Sequence, residues 1–209
     1  MITIALQYPS VVARRSDARR RAIAATSELV QEQGYAATGL EEILSRSGAP
    51  KGSFYFHFPG GKEQLVAEAV AASGDGIRQL IDAVVSDAKT PQEAIRAIAS
   101  FQARQLAESG FEHGCPIATV TLEVATRSDQ IRVAASGAYE SWIAVLAEAL
   151  ERQGHPDSVG FATFALAALE GALVLARAAM NADIVVDVGD RIASLIWQPS
   201  GQPTDPQTG

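Results

Sequence analysis

Cysteine is nearly absent. Cys115 is the one cysteine in 209 residues, so no internal disulfide can hold the chain together. None is needed, because a chain of this length that is 47% hydrophobic and 20% charged can bury a core without cross-link or metal. Strand signals are equally scarce. Apolar residues recur at helical spacing almost everywhere, which points to an all-α fold. Long uninterrupted apolar runs are missing too. The stretch Val159–Val174 comes nearest to the roughly 18 residues that a membrane span needs, but it contains Glu170 and two glycines. Met1 to Val12 is mildly apolar but short, and basic residues follow it instead of preceding it, unlike a signal peptide. A cytoplasmic location without membrane attachment is the expectation. There is no repeat of fixed period and no glycine-rich phosphate loop, which speaks against a nucleotide ligand. No cofactor is expected.

Metal and nucleophile chemistry are also poorly supplied. His113 and Cys115 stand two apart beside Glu112, but the remaining histidines, His57 and His155, are distant in sequence. Nothing provides the third orienting group or oxyanion hole that a cysteine hydrolase requires. Packing or loop structure is the expected role for this pair, with no catalytic and no metal residues.

The charge is unevenly spread. The whole chain carries −7, yet residues 1–62 hold eight Lys/Arg against five Asp/Glu, a net +3, and residues 63–209 hold nine against nineteen, a net −10. A basic head on an acidic body suits a head that meets phosphate.

The head reads as three helices. Arg14-Arg15 and Arg19-Arg20-Arg21 lead into a first helix that runs to about Gln33, with Gly34 as its stop. Thr38 opens a second helix with Glu41 at capping-box spacing, and Gly48 ends it. Ala49-Pro50 opens a short third helix that carries Lys51, Gly52, Ser53, Phe54, Tyr55 and Phe56. Two short helices joined by a tight glycine turn, Ser47-Gly48-Ala49, form the helix-turn-helix pattern. Lys51 and Ser53 can reach base edges or phosphate, Gly52 permits close approach, and Tyr55 and His57 add hydrogen-bonding tips. Thr38 and Lys62, each at a helix start, can present amides and side chains to phosphate. The arginine cluster adjoins this surface as a basic arm. Phe54, Phe56 and Phe58 read as a mixture of core and support. The candidate DNA contacts are therefore Thr38, Pro50, Lys51, Gly52, Ser53, Tyr55, His57 and Lys62.

The segment from Ile23 through Leu65 resembles the DNA-binding domain of the TetR family of bacterial transcriptional regulators. The matching residues are Gly34-Tyr35, Thr38, Ile43, Ser47-Gly48-Ala49, Lys51-Gly52-Ser53-Phe54-Tyr55, His57-Phe58-Pro59 and Lys62-Glu63-Gln64-Leu65. Gly60-Gly61 makes the link before Lys62 one residue longer than the commonest form, and Gly39 and Leu44 stand where other residue types are more usual. The Phe-Pro-Gly-Gly-Lys-Glu run, Gly114-Cys115-Pro116-Ile117 and Leu122-Glu123 are similar to the branch represented by the LmrA and YxaF regulators. The resemblance implies an all-helical homodimer. It has an N-terminal three-helix helix-turn-helix domain and a larger C-terminal helical ligand-binding and dimerisation domain, and it performs no bond chemistry.

On that reading residues 1–62 form the arm and helix-turn-helix domain, 63–198 the regulatory and dimerisation domain, and 199–209 a disordered tail poor in apolar residues. Helices are expected at about 62–86, 91–109, 116–126, 129–153, 158–181 and 188–197. The helix from Ser158 is apolar around most of its circumference, so it needs burial on more than one side, and the last two helices are the expected dimer contact. Apolar walls with a few polar groups among them suggest a pocket for a small apolar or aromatic effector. Its candidate lining is Phe101, Gln102, Gln105, Ile117, Trp142, Phe164, Glu170, Leu173 and Arg177. The expected partners are thus a double-stranded DNA operator, a small-molecule effector and a second copy of the chain.

Overall fold

The structure, a computed structural model, describes residues 11–196, apart from the side chains of residues 11–16 and of Ser53. The expected tail, the Arg14-Arg15 pair's side chains and Trp197 lie outside the described residues. Nine helices follow one another among the described residues, and no strand is present there. They are α1 (Val11–Ala37), α2 (Leu40–Ser47), α3 (Lys51–His57), α4 (Gly61–Asp87), α5 (Pro91–Glu108), α6 (Pro116–Val124), α7 (Asp129–Arg152), α8 (Ser158–Ala179) and α9 (Asp183–Leu195).

The chain forms two compact units. The first is Met1–Arg78 with Ser109–Glu140, and the second is Gln79–Glu108 with Ser141–Gly209. Packing thus groups α6 with the first three helices, although it lies far along the chain from them.

The first unit is built on a cluster of Ala22, Leu29, Ile43, Leu44, Phe54, Phe58 and Leu65, drawn from α1 to α4. Helices as short as α2 and α3 are not stable alone, so this shared burial is what orders them. Gly34 is the expected break: it sits at φ 80, ψ 177 inside the span of α1, and the chain turns there. The turn between α2 and α3 also forms as the sequence predicts. Gly48 is left-handed at φ 60, ψ 23, its amide donates to Ser45 O, and the Ala49 amide donates to Leu44 O at 3.2 Å. That pair of bonds is a Schellman closure, and the positive φ would strain an L residue at Gly48 although the space beside it is open.

In the second unit α5 packs against α9 and α8, and α8 against α9. α8 starts with a capped turn, the Asp157 side chain accepting from the Gly160 amide at 3.0 Å. Ala162, Ala165, Leu166, Leu169, Ala172, Leu173 and Ala176 form its buried stripe at helical spacing. By length and composition α8 is also apolar enough to cross a membrane, despite Glu170 and the glycines.

Candidate nucleic-acid interface

α3 presents two different faces. Phe54 and Phe58 are inside, their rings 5.4 Å apart, whereas Lys51, Gly52, Tyr55 and Phe56 are exposed. Tyr55 is 58% exposed and Phe56 68%, a large apolar area for a water-facing helix, and one that a macromolecular surface can cover. Lys51 Nζ lies 3.5 Å from Glu41, both highly exposed. An ion pair of that kind contributes little and leaves Lys51 able to exchange Glu41 for a phosphate or base edge. Pro50 stands just outside α3 as its N-cap, with an extended ψ of 132, instead of inside the first turn. Gly52 leaves open space where a Cβ would sit.

His57 is half-buried against Phe56 and Phe58, and its Nε2 is enclosed without a hydrogen-bond partner. A phosphate contact by His57 would therefore have to come from Nδ1.

Two of the expected contacts point elsewhere. Thr38 is fully buried, and its hydroxyl donates to Gly34 O at 2.7 Å. The N-cap of α2 is Gly39, with no side-chain cap, so the capping box with Glu41 does not form. The reason is the break at Gly34: it leaves a carbonyl facing inward, and the nearest hydroxyl satisfies it. Lys62 is turned into the first unit. Its ammonium donates to Tyr35 O at 2.7 Å and lies 4.1 Å from the centre of the Tyr35 ring. Burial lowers its pKa from the usual lysine value, an effect that the Glu123 carboxylate partly opposes. Burial, with the Glu63 carboxylate adding to it, raises that of Tyr35.

The described arginines of the head are mostly engaged. Arg19 pairs with Glu68 at 2.5 Å, Arg20 and Arg21 with Asp17, and Arg46 with Glu32 at 2.9 Å. Its hydrogen bond to Glu32, before any other influence, pushes the Arg46 pKa further up. Arg21 Nε also donates to Ser47 O at 3.0 Å, which ties α1 to the turn at the end of α2.

The expected effector residues are spread differently from a single lining. Ile117 is fully buried and belongs to the first unit, whereas the other eight belong to the second. Of those, Trp142 and Leu173 are core, Phe101, Gln102 and Glu170 are half-buried, and Gln105, Phe164 and Arg177 are exposed. Gln102 Oε1 is buried with no hydrogen-bond partner. A small, wholly apolar cleft in the second unit is lined by Val85, Pro91, Ile95, Leu146, Leu150 and Phe161, with alanines between them. It contains none of the expected residues. The sequence carried no signal for this cleft, because its members come from four helices and each reads as ordinary core. Cys115 is the N-cap of α6, and its carbonyl accepts from the Thr119 hydroxyl at 3.1 Å.

Comparison with known proteins places this geometry. Residues 22–69 match the model for bacterial regulatory proteins of the tetR family, and residues 91–191 match that for the C-terminal domain of LmrA/YxaF-like transcriptional regulators. The chain is 35% identical over 182 residues to the HTH-type transcriptional regulator LmrA of Bacillus subtilis, covering 86% of this chain and 97% of that one. It is 32% identical over 184 residues to the regulator YxaF of the same organism, covering 87% and 96%. Among solved structures, reduced NemR of E. coli superposes with a TM-score of 0.80 at 23% identity, covering 88% of this chain and all of that one. A cysteine mutant of the TetR-family regulator CifR, solved on a 26-bp operator duplex, superposes at 0.70 with 21% identity, covering 87% and 95%. The last two likenesses carry the fold.

Proposed function

This chain belongs to the TetR family of DNA-binding transcriptional regulators, which are not enzymes, and from that premise we propose that it is a repressor released from a palindromic operator by a small apolar or aromatic ligand. The observation that carries the DNA-binding half is the outward face of α3: Lys51, Gly52, Tyr55 and Phe56 are exposed together on a helix fixed from behind by Phe54 and Phe58. A short helix backed by a rigid core and followed by a firm break is what a major groove accepts. Selection from random DNA with the full chain tests it, and an inverted repeat is the expected product. Enrichment of no sequence at all would remove the reading.

Lys51 and Lys62 are expected to behave differently. Lys51→Ala should reduce the salt dependence of operator binding by about one unit, as the loss of one phosphate contact does. Lys62→Ala should leave that slope alone and lower the melting midpoint, because its ammonium serves Tyr35 O. Titrations at several salt concentrations decide the matter; equal slopes for both variants would return Lys62 to the phosphate surface. Gly52, Ser53, Tyr55 and His57 remain proposed contacts beside Lys51. Thr38 and Lys62 instead shape the surface, and Pro50 sets where α3 begins.

Dimerisation through α8 and α9 completes the reading, and two heads then meet two half-sites. A regulator of this family acts on bacterial DNA, so the cytoplasm is its proposed location. For the effector, the apolar cleft and the unpartnered Gln102 Oε1 mark the second unit as the part to watch. A ligand releases DNA only by binding the DNA-free form more tightly. Aromatic compounds that raise the melting midpoint should therefore bind the operator complex more weakly than the free protein. Equal affinities would exclude them as inducers.

A further inference from the structure

The corner between α1 and α2 is held by side chains from three separate places. Thr38 donates to Gly34 O, Lys62 of α4 donates to Tyr35 O, and Glu123 of α6 accepts the Ala36 amide at 2.9 Å. The Glu123 carboxylate lies directly over Gly34, where a Cβ would overlap its Oε1. Gly34 thus serves the corner twice, through its positive φ and through the seat it leaves for a carboxylate. Nearby ties hold the same segment of chain: Gln31 Nε2 donates to Gly114 O at 3.2 Å just before α6, and the buried Ser128 just after it donates to Glu63. α6 is therefore fastened to α1 and α4 before, along and beyond its length.

We propose that Glu123 is a positioning residue for DNA binding, a latch from α6 that sets the corner from which α2 and α3 project. This rests on the regulator reading above. The amide of Ala36 stands just past the break and donates to this carboxylate, a strong acceptor for such a donor. The corner precedes α2 by a few residues, so a change in its angle is carried into the direction of α3. Moving α6 along its axis would pull the carboxylate from the amide and alter the head without any contact to DNA.

The experiment compares the full chain with Glu123→Ala and Glu123→Gln on the duplex that the unaltered protein selects from random DNA. Three readings are taken: operator affinity, amide exchange at Ala36, and the melting midpoint. Glu123→Ala should bind operator about fivefold more weakly, the effect of losing one hydrogen bond. It should exchange the Ala36 amide faster and melt close to the unaltered protein. Glu123→Gln keeps an oxygen for the Ala36 N–H and should recover most of the affinity. Unchanged operator affinity in Glu123→Ala overturns the proposal, as does an equal loss in both variants accompanied by a lowered midpoint, which marks mere structural support. An unaltered protein that selects no DNA sinks the regulator reading and this one with it, so the two failures are distinct.

Discussion

Phe54→Ala should cost about 3–5 kcal/mol of stability and abolish operator binding before the rest of the chain melts. Phe54 is 2% exposed and packs among Leu29, Ile43, Leu44, Phe58 and Leu65, with the Tyr55 ring edge-on at 5.1 Å. α3 is too short to persist on its own helical bonds, so this ring is the anchor that holds the exposed face in place. A loss of that size is a large share of the roughly 5–15 kcal/mol that stabilises a typical protein. Urea titration followed by circular dichroism should show an early transition from the first unit, well separated from the second. Tyr55→Ala is the contrasting variant. Its side chain is mostly exposed, so the first unit should unfold where it does in the unaltered protein while operator affinity falls. A single unshifted transition for Phe54→Ala would mean that α3 draws its order from elsewhere.

The helices of the head were legible in the sequence because local signals fix them. Gly34 and Gly48 needed left-handed backbone, and the apolar residues between them repeat at helical spacing. What could not be read was where polar side chains go once the helices pack. Thr38 has the residue type and spacing of an N-cap, but the carbonyl exposed by the Gly34 break competed for its hydroxyl and won. Lys62 sits at a helix start as expected, yet its ammonium found a carbonyl and an aromatic face on α1. Glu123 stood out only as part of a motif. Its partner, Ala36, lies 87 positions earlier in the chain, a pairing that no periodicity reports. The expected effector residues are divided between the two units, Ile117 in the first and the other eight in the second, because the helical spacing that finds an apolar stripe does not say which stripes face one another.

Val174→Glu with Leu175→Glu should convert the dimer to a monomer and weaken operator binding by about 10²-fold or more, since the second head then loses its tether. In the single chain these residues are 63% and 60% exposed, and Phe164 is 47% exposed. Ala167, Gly171 and Ala178 are exposed on the same helix, and a Cβ at Gly171 would meet nothing within 4 Å. The exposed stripe therefore lies opposite the buried one, smooth and apolar, and open to a second α8. In a two-fold interface each substitution enters twice, so four carboxylates would be brought together, and burying that like charge is costly. Both positions are exposed, so the fold of each chain should survive, with helix content and the unfolding of the first unit unchanged. Light scattering at micromolar concentration and operator titration measure the two effects. Because α8 also has the length and apolarity of a membrane span, vesicle flotation of the unaltered protein belongs in the same experiment. A double variant that remains dimeric would exclude this face as the contact. Flotation that the two glutamates abolish would show that the stripe meets lipid instead of a second copy.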